Sequence, residues 1–364
     1  MKKVFDPNDL APNLRCWLEA ASETNASDLH LVHGYPAILR CHGKLVPHDS
    51  QPLGEADIFE ALAPIVGDVW LQKLPHLKNA DLAFSADVCT RRYRLRFNLF
   101  MAGNSIGACI RIIPDAIPDF SWASFPEDLA KRIGAFQNGL VLFTGVTGSG
   151  KSTSLAMIIN QMNRLGGFRI LTIEDPIEYL FPLFEHSVVT QREVGTDVDS
   201  FADGLKYGLR QDPDLVLVGE IRDCETAKMA LSAAETGHLV LSTLHTRDAK
   251  GAISRYTDMF PQNAQNEIRA QLASNLRAVV CQRLLDSSVP GEKQELALEV
   301  MFNNSAIGAA IRNAKLESID NYILTGRSDG MITMDESIKR LVSGGRIRME
   351  TAEPFIQDRT QFQR

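Results

Sequence analysis

The first third of the chain carries the short alternating patterns of β-strands. Over residues 92–100, apolar and polar residues alternate with a period of two, which predicts a half-buried strand with arginines on its open face. Residues 107–113 read as its antiparallel partner, and residues 29–32 and 37–40 as a second pair of strands. Apolar residues over 57–74 recur with helical spacing. Together these elements predict a small α+β domain.

The rest of the chain shows a different pattern, in which short and almost continuous apolar runs are separated by helical segments. Such runs are typical of parallel strands that are covered by helices on both faces. The four runs are residues 140–143, 170–173, 215–218 and 239–241. A stretch with two prolines and two acids, without periodicity, separates the two patterns. We therefore predict an α/β protein with a first domain at 1–114, a linker at 115–126, and a second domain at 127–364 that ends in a helical region.

The composition excludes several classes of protein. Of the 364 residues, 45% are hydrophobic and 23% are charged, which excludes disorder or a coiled coil for the whole chain. The net charge of −7 disfavours a generic nucleic-acid binder. The six cysteines lack the spacing of a zinc site and are expected to be reduced thiols. We expect no signal peptide, and no transmembrane segment because no run approaches the roughly 18 apolar residues that one needs.

One segment matches the pattern G-x-x-x-x-G-K-[ST] of a phosphate-binding loop. Its glycines let successive N–H groups point at phosphate oxygens, while its lysine adds charge near the β- and γ-phosphates and its serine offers a hydroxyl to Mg²⁺. A helix that begins near Thr153 would direct its N-terminus at the same anion. ATP and Mg²⁺ are therefore the predicted cofactors. The predicted binding residues of this segment are Gly145, Thr147, Gly148, Ser149, Gly150, Lys151, Ser152 and Thr153.

Acidic residues follow two of the other apolar runs. The carboxyl ends of parallel strands line one crevice, so these acids are expected beside the phosphates. Hydrolysis needs a water in line with the γ-phosphorus and a carboxylate that polarises it, and Glu220 is the first candidate for that role. Asp175, Glu174 and Glu178 are candidates to hold Mg²⁺ through water or to order the nucleophile. The alternative is that these acids only cap helices.

Two histidines, His238 and His245, bracket the last apolar run. A histidine at this position is a candidate to sense the γ-phosphate or to reach the site of a neighbouring subunit. The alternative is a histidine whose ring is satisfied by local hydrogen bonds, which is the commoner case in proteins.

Five segments, in order, resemble the motifs of the secretion ATPase superfamily, and in particular its PilT-type retraction ATPases of bacterial type IV pili. They are residues 145–153, 173–179, 209–214, 218–223 and 236–248. The stretches 26–31 and 94–98 are similar to the N-terminal signature and the arginine strand of that family. The resemblance implies a PAS-like N-terminal domain, a RecA-like ATPase domain and a homohexameric ring. It also implies that ATP lies between the two domains of one subunit, close to the next subunit.

The resemblance further implies roles for single residues. Glu220 would be the catalytic glutamate, Glu178 the conspicuous acid of the Asp box, and His245 the key histidine of the His box. The strand arginines Arg94 and Arg96, with Arg111, would contact the nucleotide phosphates, and Arg96 is a candidate catalytic group. A solvated strand face is the alternative for these arginines. The candidates are completed by His238 at the nucleotide and by Ser152 and Asp175 at Mg²⁺.

The predicted function is that of a cytoplasmic hexameric ATPase that powers pilus retraction and docks on a platform protein of the inner membrane. An accessory retraction ATPase and an ATPase of a type IV secretion or conjugation apparatus stay alternatives, because residues 310–317 depart from the sequence that retraction ATPases carry there. A ring-shaped nucleic-acid translocase is an alternative of another class, although no direct nucleic-acid contact is expected. A regulatory ring subunit without hydrolysis is a further alternative.

Overall fold

A computed structural model describes residues 4–41, 43–114, 116–358 and 362 of the chain. By their internal contacts these residues form two compact units. The first unit extends to Ile117 and includes the five residues Pro176–Leu180, and the second contains Pro118–Asp175 and the chain from Phe181 onward. The domain limits inferred from the sequence stay a prediction, and Asp115, the first residue of the predicted linker, lies outside the described residues.

The first unit is a seven-stranded sheet with three helices. In chain order its elements are β1 Val4–Phe5, α1 Pro12–Glu23, β2 Asp28–Leu31, β3 Ile38–Cys41, β4 Lys44–Pro47, α2 Glu55–Val66, α3 Asp68–Leu77, β5 Asn79–Val88, β6 Arg91–Ala102 and β7 Ser105–Pro114. The strand order is β1-β5-β6-β7-β2-β3-β4. The predicted antiparallel pairs, β6 with β7 and β2 with β3, are confirmed.

Two details of the first unit differ from the sequence-based expectation. The predicted helix over 57–74 is two helices, α2 and α3, because Gly67 between them has φ 84°, which L-residues rarely adopt. The period-two pattern of β6 is confirmed by its buried apolar residues. Its arginines, however, are not all on an open face, since Arg94 is only 1% exposed.

The second unit is a seven-stranded sheet with helices along the chain between its strands. Its elements are α4 Phe120–Ala123, α5 Glu127–Gly134, β8 Gly139–Thr144, α6 Lys151–Leu165, β9 Arg169–Glu174, β10 Val188–Glu193, α7 Phe201–Gly208, β11 Leu215–Val218, α8 Cys224–Glu235, β12 Leu239–Leu244, α9 Ala249–Asp258, α10 Gln265–Asn275, β13 Leu276–Leu285, β14 Glu295–Phe302, α11 Ser305–Arg312, α12 Ile319–Thr325, α13 Met334–Ser343 and α14 Met349–Ala352. Short 3-10 turns lie at Leu209–Gln211, Leu316–Ser318, Gly326–Asp329 and Glu353–Phe355.

The strand order of this second sheet is β10-β9-β11-β12-β8-β13-β14. All neighbours are parallel except β14, which runs antiparallel to β13. The four apolar runs are β8, β9, β11 and β12, so the predicted parallel sheet is confirmed and the α/β fold class with it. Strands β10, β13 and β14 were not expected from the sequence. Within the described part of the chain, no helix has the length and apolar character to cross a membrane.

Candidate active site

The phosphate-binding pattern lies between the end of β8 and the start of α6. Gly145, Gly148 and Gly150 all have positive φ, at 145°, 80° and 86°, which residues with a Cβ rarely adopt. A Cβ on Gly145 would also collide with the backbone oxygen of Gln282 in β13 and with the Ser149 side chain. Glycine is therefore favoured in this loop for two reasons: the positive φ of all three positions and, at Gly145, the close approach of β13.

The loop leads straight into α6, whose first residue is Lys151. The ammonium of Lys151 donates to the backbone oxygens of Gly145 at 2.9 Å and Val146 at 3.1 Å. Its charge is thus held over the loop, at the helix N-terminus where the backbone N–H groups also favour an anion. Ser152 is exposed at this end and Thr153 is half-buried, while the Ser149 side chain is buried inside the loop.

The candidate acids near residue 175 divide between the two units. Glu174, the last residue of β9, accepts hydrogen bonds from Thr172 Oγ1 at 2.6 Å and Gln191 Nε2 at 3.2 Å, so it ties β9 to β10. Asp175 follows it and is exposed. Glu178 belongs to the five residues that group with the first unit. The sequence analysis groups these three acids as candidates for the same role, but the contacts of Glu174 with Thr172 and Gln191 give it a structural role within the sheet.

Glu220 lies just beyond β11, in a backbone that stays extended. Gly219 N–H donates to the carbonyl of Ile173 and Ile221 N–H to that of Thr243, so β9 and β12 hold the segment from both sides. Ile221 is buried, which turns its neighbours, Glu220 and Arg222, to the opposite side together. Arg222 Nη2 donates to Glu220 Oε2 at 2.9 Å, and Nε contacts the other carboxylate oxygen. Arg222 was not predicted as a site residue; its spacing from Glu220 was the available signal.

The two histidines lie at opposite ends of β12. His245 follows the strand at the edge that carries the phosphate-binding loop, and its Nε2 is 3.5 Å from Glu220 Oε2. Burial, and then the charges of Lys151 and Arg222, lower the pKa of His245 below its ordinary value. His238 precedes β12, and its Nδ1 lies 3.1 Å from the Ala233 carbonyl. The structure thus brings His245 to this edge and leaves His238 at the far end of its strand.

Each of the three candidate arginines in the first unit has an acceptor within that unit. Arg94 Nε donates to the backbone oxygen of Ile177 at 3.3 Å. Arg96 lies 3.5 Å from the Glu178 carboxylate. Arg111, which is opposite Arg96 in the register of β6 and β7, donates to Asp28 Oδ1 at 3.0 Å.

Asp28 is buried and was not predicted as a site residue. It stands opposite Arg111 in the register of β2 and β7, and a second arginine, Arg40, lies 4.0 Å from its other oxygen. Two signals were available for Asp28: the family-like segment 26–31, which contains it, and the register of β2 with β7. A buried carboxylate between two guanidinium groups fixes their positions.

The chain matches known proteins over most of its length. The family described as "Type II/IV secretion system protein" matches residues 10–329. The uncharacterized protein YggR of Escherichia coli K12 is 40% identical over 89% of this chain and 96% of its own. The type IV pilus retraction ATPase PilT of Pseudomonas aeruginosa is 37% identical over 92% of this chain and 95% of its own. A crystal structure of the pilus retraction motor PilT with bound ADP superposes with a TM-score of 0.80 at 38% identity, covering 96% of this chain and 98% of that one.

Proposed function

The chain belongs to the type II/IV secretion system protein family and is an ATPase, and we propose that it powers retraction of a type IV pilus. The observation that supports hydrolysis of ATP is the shared sheet edge, where the phosphate-binding loop with Lys151 and the strand-end pair Glu220 and His245 occur together. Similarity to retraction ATPases over nine-tenths of both chains supports the biological role.

In this proposal, the N–H groups of the loop and the N-terminus of α6 bind the phosphates, with Lys151 at the β- and γ-positions. Thr147 and Thr153 line the same end of the helix. Glu220 polarises the attacking water, and His245, held neutral by its lowered pKa, contacts Glu220 and senses the γ-phosphate. Charge that develops on the phosphate is stabilised by groups that are already in place.

Mg²⁺ fits the donors at this edge. Ser152 exposes a hydroxyl at the start of α6, and Asp175 an exposed carboxylate directly after β9. Mg²⁺ prefers such oxygen ligands and usually takes few of them from protein, completing its shell with water and substrate phosphates. When bound, the ion would neutralise phosphate charge.

We further propose a homohexameric ring at the inner membrane, held there by a platform protein. Arg96 and Arg111 would then supply positive charge to a nucleotide of their own or an adjacent subunit. Glu178 would hold Arg96 ready for that contact. We assign structural roles to Arg94 and His238, because their side chains already engage backbone oxygens within their own units.

A deletion strain of the source bacterium tests the retraction proposal. Loss of the chain should leave excess surface pili that do not retract and should abolish twitching motility. Wild-type chain should restore both, and the Lys151→Ala variant, expressed to the same level, should restore neither. Normal pili with lost transfer of DNA or effector proteins would contradict retraction and favour the secretion or conjugation alternative. An ATPase rate that DNA stimulates would favour the translocase.

A further inference from the structure

Arg222 and Glu220 form a close ion pair that the proposed mechanism does not use. The buried Ile221 between them anchors the extended backbone, so both side chains project to one side. Arg222 contacts both oxygens of the carboxylate, one through Nε and the other through Nη2. Such two-point contact is the geometry in which a guanidinium binds a carboxylate most strongly.

This pair opposes the role proposed for Glu220. A carboxylate whose two oxygens both accept from one guanidinium is less available to accept from an attacking water. The oxygen that accepts from Arg222 Nη2 also lies 3.5 Å from the Nε2 atom of His245. In this arrangement Glu220 is poorly disposed to polarise an attacking water.

The two side chains of this ion pair differ in solvent exposure and therefore in their freedom to move. The side chain of Glu220 is 16% exposed, whereas that of Arg222 is 62% exposed. The arginine can therefore leave the pair without crossing packed atoms. Its charge already reaches the phosphate-binding edge, since Arg222 and Lys151 both act on the pKa of the same histidine, His245.

We propose that Arg222 is a nucleotide-binding residue that moves from Glu220 to the γ-phosphate when ATP binds. A terminal phosphate offers the guanidinium fork two oxygens and more negative charge than a carboxylate does. The exchange frees Glu220 only when a γ-phosphate is present, which couples release of the base to occupancy by ATP. This inference rests on the proposed role of Glu220.

The exchange predicts a difference between nucleotides with and without a γ-phosphate. In Arg222→Gln, the affinity for a non-hydrolysable ATP analogue should fall about tenfold, while the affinity for ADP should stay within about twofold. In Glu220→Gln, the analogue should bind about threefold more tightly than to wild type, since no ion pair has to break. Adding Arg222→Gln to the Glu220→Gln variant should then lower the affinity for the analogue about thirtyfold, compared with about tenfold when the same change is made in wild type.

Titration calorimetry on the full chain, with the analogue and with ADP, measures all four proteins of this cycle. Arg164→Gln, which removes an equal charge at the opposite end of α6, is the matched control and should change neither affinity. Equal effects of Arg222→Gln on both nucleotides, or no effect on either, would overturn the proposal. A Glu220→Gln variant that hydrolyses ATP at the wild-type rate would instead remove the catalytic role of Glu220, and leaves the affinity cycle as a separate result.

Discussion

The second unit has a strand-end edge, formed by the phosphate-binding loop and the residues that follow β11 and β12, and the first unit has an arginine face, formed by Arg94, Arg96 and Arg111. Both regions are rich in charge, but the contacts of their charged groups differ. At the edge, charged groups contact one another: Glu220 contacts His245, which follows the neighbouring strand β12, and Arg222, which follows the same strand β11. On the face, each arginine is bound by an acceptor that fixes it, such as Asp28 for Arg111. This difference shows that charge alone does not identify a catalytic group. The partner and the burial of each charged group decide whether its removal lowers ATP turnover or the stability of the fold.

The largest effect is expected at the edge. Lys151→Ala removes the ammonium held over the loop, so ATP turnover should fall to background, at least about 100-fold. The fold should survive, because Lys151 is the first residue of α6 and its ammonium hydrogen-bonds backbone oxygens of the adjoining loop rather than packing in the core. Phosphate release measured beside thermal unfolding checks both statements. Turnover above about a tenth of wild type would show that the edge does not bind phosphate in this way.

On the face, the next largest effect should fall on stability. Arg94→Ala removes a buried guanidinium, leaves the Ile177 carbonyl without this donor and opens a cavity. We expect a loss of about 2–4 kcal/mol in the free energy of unfolding. Arg92→Ala is the matched control, since Arg92 pairs with Asp87 at the surface and should cost less than about 1 kcal/mol. Equal losses in urea unfolding for the two variants would remove the distinction by burial.

Arg96 sharpens the comparison because it lies on the same strand as Arg94 but is partly exposed, beside Glu178. Arg96→Ala should reduce turnover at least tenfold and change stability by less than about 1 kcal/mol. Wild-type turnover would leave this arginine as surface charge.

Mixing Arg96→Ala with Lys151→Ala subunits decides which subunit the arginine serves. If it acts on a neighbour's nucleotide, some sites in mixed rings contain both residues and part of the activity returns. If it acts within its own subunit, no site in the mixture is complete and turnover stays near zero.

The sequence predicted the features that local periodicity or a local motif encodes. The apolar runs became buried parallel strands, and the glycine pattern became the loop before α6. Strand β14 was missed because Glu295 and Glu299 interrupt its apolar pattern, although both are buried in the structure. Their partners, Arg346 and the Ala249 N–H, are remote in sequence, so nothing local indicated that carboxylates are tolerated there.

The same limit applies to the candidate site. Lys151 and Glu220 were predicted because each stands in a short motif or directly after an apolar run. Arg222 and Asp28 also stand in motif-like segments, but they were not chosen as site residues because their contacts depend on side-chain direction and on strand register. Gly67 likewise broke a helix that apolar spacing alone could not divide, since spacing carries no information on φ.

The smallest expected effect concerns a buried carboxyl group, Glu299, that accepts from a backbone N–H, whereas the carboxylates at the edge and on the face are paired with arginines. It tests whether burial alone makes the charged form of this group destabilising. Burial raises the pKa of Glu299, although it accepts a hydrogen bond from Ala249 N–H at 2.9 Å. The folded state therefore holds this proton more tightly than the unfolded state does. Protonated Glu299 therefore contributes to the free energy of unfolding. This contribution is fully present below the pKa of the group in the unfolded state, about 4.3, and is lost as pH rises through its raised pKa in the folded state.

Glu299→Gln keeps an oxygen acceptor for Ala249 N–H and has no charge to bury. We expect it to be more stable than wild type by about 1 kcal/mol at pH 8, with the gain shrinking towards pH 5. Glu295→Gln, on the same strand, is the control with the opposite sign, because Glu295 is paired with Arg346 at 2.6 Å and its loss should destabilise at pH 8. Urea unfolding at the two pH values measures both. A Glu299→Gln variant that is less stable than wild type at pH 8 would show that this carboxylate is stabilised where it lies, as Glu295 is, and that burial alone does not set its charge.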